Sequence, residues 1–206
     1  MPSASRYNQR MPPRIAIPVP HSGDPEYADR ALPQYQRAVM MAGGKPIRVP
    51  LDLTSAEVMK IIEQCDGVLL PGSKADVDPA KFNAAPRSQT AAPDPRRDTV
   101  DELLLQDAYN MRKPVLGICY GLQSLNVYRS GSLIQHIPDF LPPDLGTTVN
   151  HEAGRTVKVA HNVAIEPQSV LAEIVGAVFR PRFSSPAERI RPSRSQPPPP
   201  ARAQPS

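Results

Sequence analysis

A thiol acts as a nucleophile where its surroundings favour the thiolate, and one of the chain's two cysteines, Cys119, stands in such a pattern. Residues 115–118 form a short apolar run of the kind that makes a buried strand. The run stops at Cys119, with Gly117 two residues before it and Gly121 two residues after. Leu122, Leu125 and Tyr128 then fall on one helical face. Strand, sharp turn and helix with the nucleophile at the turn is the arrangement of a nucleophile elbow. The chain reverses so tightly there that a Cβ two residues away on either side would collide with it, hence the glycines. The turn lifts the sulfur to a helix N-terminus, whose dipole favours the thiolate. A cysteine ending a core strand can equally be a buried structural thiol. The strand before it, the helix after it and Gln123 in the first helical turn weigh toward the nucleophile.

The elements that must position this turn alternate along the chain. Residues 14–19 read as a first strand, closed by Pro18 and Pro20. Apolar residues at Leu32, Tyr35 and Val39 predict a helix over 32–41, with Asp24 or Asp29 as its cap and Gly43-Gly44 as its stop. Residues 46–50 are a short second strand. Thr54 with Glu57 three residues on is a capping box that opens a helix over 55–64. Residues 65–70 form a third strand, followed by Pro71-Gly72-Ser73. Residues 83–96 are loop-like, and a helix follows to about Met111 with Asp98 as its predicted N-cap. After the elbow helix, 132–137 reads as a short strand, 155–165 as a hairpin or two short strands, and 168–175 as one more helix. Strands alternating with helices of about ten residues imply an α/β fold, an open and mostly parallel sheet with right-handed crossovers. In such sheets chemistry gathers at the carboxyl ends of strands, where both Cys119 and Pro71-Gly72-Ser73 fall. By itself Pro-Gly is an ordinary strand-ending turn.

The run 114–138 (PVLGICYGLQSLNVYRSGSLIQHIP) resembles the class I glutamine amidotransferase-like superfamily, and within it the gamma-glutamyl-gamma-aminobutyrate hydrolases of peptidase family C26. Gly-Ile-Cys-x-Gly-x-Gln and the following Leu-Asn-Val carry the superfamily, and Gln135-x-Ile137 points to the hydrolase branch. Ser130-Gly131 departs from it, standing where that branch usually has two glycines. The run 69–79 (Leu-Leu-Pro-Gly-x-x-x-Asp-Val-Asp-Pro) is similar to a second family signature, and the resemblance covers residues 14–176. It implies hydrolysis of a gamma-glutamyl amide through a Cys119 thioester, without metal or cofactor. It also implies an oxyanion hole built from backbone N–H groups at Gly72 or Ser73 and at Tyr120. Arg97-Asp98 resembles the Arg-Asp before a helix in these hydrolases, and Arg97 is a weak candidate for a substrate carboxylate, against the ordinary reading of a solvated arginine.

Relatives also carry a His-Pro-Glu motif that supplies base and acid, and a His-His-Gln segment lining the pocket. Neither occurs here: His21, His136, His151 and His161 are the four histidines, and none precedes Pro-Glu. His151-Glu152 is the nearest imitation, and all four read as solvated or structural. Residues 177–206 hold eight prolines, six arginines and one acidic residue, a composition that cannot bury a core. The expectation is a disordered leader over 1–13, a hydrolase domain over 14–176 that is incomplete at its C-terminal side, and a disordered tail, with the frame disturbed near Ala177. A proline-rich tail of SH3-ligand type is the alternative. The tail carries +5 of the formal net charge of +4, so residues 1–176 sit near −1 and the pI gives no ground for a nucleic-acid-binding face. Two cysteines far apart suit a reducing compartment, no run is long and apolar enough to span a membrane, and the expected setting is cytoplasmic. The expected partner is a small gamma-glutamyl substrate, with self-association through uncovered apolar faces. Impaired activity follows from the absent His-Pro-Glu. A catalytically inactive remnant or binding protein, and a glutaminase subunit feeding a synthetase, remain the competing readings.

Overall fold

A computed structural model describes residues 11–140 and 164–175. The chain divides into two compact units, 1–142 and 143–206. The expected leader 1–13, for its first ten residues, and the tail 177–206 lie outside the described residues.

In the first unit the order is β1 (Arg14–Pro18), α1 (Pro25–Met41), β2 (Lys45–Val49), α2 (Ser55–Ile62), β3 (Gly67–Leu70), α3 (Pro95–Asn110), β4 (Val115–Gly117) and α4 (Tyr120–Tyr128). The four strands form one parallel sheet in the order β2-β1-β3-β4. Ala16 stands opposite Ile47 and Val68, and Leu70 opposite Gly117, which fixes the register across the sheet. The expected α/β class with an open parallel sheet is what the chain adopts.

Alternate strand residues face opposite ways, and the core divides accordingly. Ala16, Val49, Val68 and Leu70 pack with Val58, Ile62, Val100, Leu104 and Leu105 from α2 and α3. Ile17 and Leu69, on the other face, pack with Leu32 and Val39 of α1. At β4 the two faces differ. Val115 packs against the α3 side, whereas Leu116 is 57% exposed.

Thr54 and Glu57 form the expected capping box of α2. Three expectations change. Helix α1 starts at Pro25, not near Leu32: Asp24 caps it through Tyr27 N–H at 2.9 Å, Pro25 fits the first turn, and Pro33 is carried inside the helix. Helix α3 is capped by Asp94 rather than Asp98, and starts at Pro95. The strand expected over 132–137 is a loop that ends in a 3-10 turn, Ile137–Asp139. No strand among the described residues pairs with it, and the Gln135 side chain is used to hold a neighbouring loop, donating to Ala85 O and accepting from Thr90 Oγ1 and Arg87 N–H. The hairpin expected over 155–165 lies outside the described residues, apart from 164–165, which are irregular. In the second unit a short helix, α5 (Val170–Val175), falls where a helix was expected.

Candidate active site

Cys119 follows β4 after one residue, Ile118, and stands at the N-cap position of α4 with φ 52° and ψ −112°. That backbone region is sparsely populated by residues bearing a Cβ, and such strain persists only where the surroundings enforce it. The surroundings here are close. A Cβ on Gly121 would stand 2.2 Å from Leu70 O, and one on Gly117 would stand 2.7 Å from Gly121 O and Leu122 N. Both glycines of the motif are thus demanded by contact, as the spacing implied. The carbonyl of Cys119 accepts from the N–H of Leu122 and of Gln123, which closes the first turn of α4 behind it. The cysteine is exposed and unpaired.

The loop after β3 lies against this turn: a Cβ on Gly72 would be 3.7 Å from Cys119 Cβ and 3.9 Å from Ile118 O. Gly72 itself is buried, and its N–H donates to the Tyr35 hydroxyl at 3.2 Å. The Ser73 hydroxyl accepts from Ala75 N–H. Among the described residues no acceptor takes the N–H of Ser73 or of Tyr120. Gln123 is half-buried in the first turn of α4. The sequence-predicted group of Cys119, Gly72, Ser73, Tyr120 and Gln123 is therefore gathered at the carboxyl ends of β3 and β4.

Tyr35 was missed as a polar partner. Its place on the apolar face of α1 marks it as core, and only the fold shows that its hydroxyl reaches the β3 loop. Tyr27 shares this neighbourhood. Burial pushes its hydroxyl up, and the charges of Tyr35 and Cys119 act in the same direction.

Arg97 is neither solvated nor turned toward a substrate. Its side chain is fully buried, and every arm of the guanidinium is used. Nε donates to Asp101 Oδ1 at 2.6 Å, one terminal nitrogen to Pro20 O at 3.0 Å, and the other to Pro71 O at 2.9 Å. The Tyr120 ring lies over it, 5.0 Å from Cζ, and the Tyr120 hydroxyl donates to Asp98. Burial, then the hydrogen bond to Asp98 and its charge, push the Tyr120 hydroxyl far above its ordinary range, so it stays a proton donor. Burial likewise pushes the Asp101 carboxyl up, while the Arg97 guanidinium opposes it. Asp98 also lies 3.2 Å from Lys81 Nζ, which explains why it is not a helix cap.

The second signature is used structurally. Asp78 caps a 3-10 turn at Pro79–Phe82, Asp76 accepts from Ala91 N–H, and Val77 is buried beside Tyr120 and Val127. Two of the histidines are described. His21 Nδ1 accepts the Gly23 N–H and lies 3.3 Å from Asp94 Oδ2. His136 Nδ1 sits 2.9 Å from Asp139 Oδ1. His151 and His161 lie outside the described residues. No group of His, Cys, Asp and Glu with metal-binding geometry occurs among the described residues, and no helix there is long and apolar enough to cross a membrane.

The parallel sheet and the strained cysteine elbow define a glutamine amidotransferase-like α/β protein. The family model described as Peptidase C26 matches residues 18–182, and the chain belongs to that family of hydrolases. It is 36% identical over 117 residues to a glutamine amidotransferase-like protein of Rickettsia prowazekii, covering 57% of this chain and 40% of that one. It is 34% identical over 143 residues to a protein of Mycobacterium tuberculosis named as a glutamine amidotransferase, covering 69% and 44%. Gamma-glutamyl-gamma-aminobutyrate hydrolase PuuD of Escherichia coli K12 is 35% identical over 101 residues, covering 48% and 39%. The aligned stretch of this chain spans about half or less of the length of these relatives.

Proposed function

We propose that the chain is a cysteine hydrolase of gamma-glutamyl amides, of the gamma-glutamyl-gamma-aminobutyrate type, acting in the cytoplasm with no metal or cofactor. The observation that carries this reading is the exposed Cys119 held at φ 52° between two glycines that contact alone demands. The thiolate attacks the amide carbonyl, the C–S bond forms, and the oxygen becomes an oxyanion. The backbone N–H of Tyr120 and that of Ser73 or Gly72 stabilise it, Gly72 first giving up Tyr35. Collapse breaks the C–N bond and releases the amine as it takes up a proton. Water then hydrolyses the thioester to free glutamate.

Proton supply to the amine is the weak point. None of the four histidines precedes Pro-Glu; of the two described, His21 Nδ1 accepts the Gly23 N–H and His136 Nδ1 lies 2.9 Å from Asp139 Oδ1. General acid–base assistance is typically worth roughly 10²–10⁴-fold, so ordinary gamma-glutamyl amides should turn over at least about a hundredfold slower than in an intact relative. Incubation with gamma-glutamyl anilide tests this. Slow aniline release that is lost in Cys119→Ser is the expected result, and release at the rate of an intact relative would refute the impairment. No release together with an inert Cys119 would favour the non-catalytic reading. Relatives named as glutamine amidotransferases keep the glutaminase reading in play, and preference for free glutamine over gamma-glutamyl amines would select it. Self-association is proposed through exposed Leu116, Ile118 and Leu122, and a concentration-independent monomer in sedimentation would reject it.

A further inference from the structure

The guanidinium of Arg97 does more than neutralise a buried acid. It joins three chain segments at the edge where Cys119 sits: Pro20 after β1, Pro71 after β3, and Asp101 within α3. The Tyr120 ring closes over it from the elbow. Pro71 C=O and Gly72 N–H belong to one peptide unit, and a trans peptide is planar with its carbonyl and N–H pointing opposite ways. Arg97 holds the carbonyl side at 2.9 Å and Tyr35 meets the N–H side at 3.2 Å. The orientation of the whole unit is thereby set from both sides. Glycine at position 72 would otherwise leave that unit free to rotate.

Buried ion pairs are poor stabilisers, since well-packed apolar residues of similar volume often serve as well or better. A pair kept wholly out of water at this place calls for another role. We propose that Arg97, balanced by Asp101, is a positioning residue that holds the β3 loop and the Tyr120 N–H at the spacing an oxyanion needs. The proposal rests on the Cys119 nucleophile reading above. It makes Arg97 act through the peptide unit and not on the substrate.

Two reactions of the same sulfur separate this role from plain structural support. Alkylation by iodoacetamide forms a C–S bond and expels iodide, with no oxyanion. Acylation by p-nitrophenyl acetate forms a C–S bond through a tetrahedral oxyanion and expels p-nitrophenolate. Both rates are measured on the full chain, with thermal unfolding as the check on the fold. The double variant Arg97→Met with Asp101→Leu removes both charges together. Arg97→Lys keeps a cation facing Asp101 and loses the fork to Pro20 and Pro71. Losing one oxyanion donor outright costs roughly 10²–10³-fold, so misplacing one should slow acylation at least about tenfold while alkylation stays within about twofold. That selective loss in either folded variant supports the proposal. Equal loss of both reactions, or no loss in a folded variant, overturns it while leaving the nucleophile reading intact. An unaltered chain that is alkylated at Cys119 but not acylated overturns the oxyanion reading, and the positioning role with it.

Discussion

Cys65 and Cys119 are the same residue type at opposite ends of one parallel sheet. Cys65 precedes β3 at the amino ends of the strands, is 3% exposed, and donates its S–H to Ile61 O at 3.3 Å. Burial pushes its thiol up. Cys119 follows β4 at the carboxyl end, is exposed, and stands at the N-cap position of a helix. The difference is one of topology. A parallel sheet points helix N-termini at its carboxyl edge, so the thiol at the amino edge is buried filling while the thiol at the carboxyl edge lies open at the start of a helix.

The largest effect that could break this contrast comes from removing each sulfur. Cys119→Ser should lower acylation by p-nitrophenyl acetate at least about a thousandfold, whereas Cys65→Ala should leave it within about twofold. A Cys65→Ala variant as inactive as Cys119→Ser would abolish the distinction between the two edges.

The next effect concerns the elbow itself. Gly121→Ala would place a methyl 2.2 Å from Leu70 O, a backbone atom that can move only with β3. Overlap of this kind should cost about 3 kcal/mol or more, or prevent folding, as read by urea unfolding. A variant as stable as the parent chain would mean that the turn is looser than its geometry states.

A smaller effect lies in pH. The Cys65 thiol is raised in the folded state, so the stability it contributes is fully present below the unfolded thiol pKa of about 8.5. It is lost as pH rises from there toward the folded value, because only the unfolded chain ionises in that window. Unfolding free energies measured from pH 7.5 upward should fall more steeply for the parent than for Cys65→Ala. Parallel curves would contradict the burial argument.

The smallest effect sits at the far end of the elbow helix. Ser130 has φ 64°, where glycine carries no Cβ penalty, and the sequence already marked this position as a departure from a glycine pair. Ser130→Gly should raise stability by about 0.5–1 kcal/mol without altering which cysteine is labelled first. Destabilisation would show that the Ser130 side chain makes a contact of its own.

What the sequence disclosed follows from how local each signal is. The elbow was legible because Gly117, Cys119 and Gly121 meet within one turn, and the capping box because Thr54 and Glu57 do. The cap of α3 was misplaced by four residues since Asp94 and Asp98 are equally good caps in isolation. Only the long-range bonds of Asp98 to Tyr120 and Lys81 remove it from that role. Arg97 was misread for the same reason. Its partners Pro20 and Pro71 are 77 and 26 residues away, and proline carbonyls leave no mark in a sequence. The false strand over 132–137 had a strand's apolar content but lacked a neighbour to pair with among the described residues.

The most direct test of the contrast is whole-protein mass spectrometry after brief exposure to a glutamine-analogue alkylator, followed by peptide mapping. The account predicts one adduct, on the peptide that carries Cys119, with Cys65 unmodified until the chain is unfolded. An adduct on Cys65 in the folded chain, or none at Cys119, would contradict it.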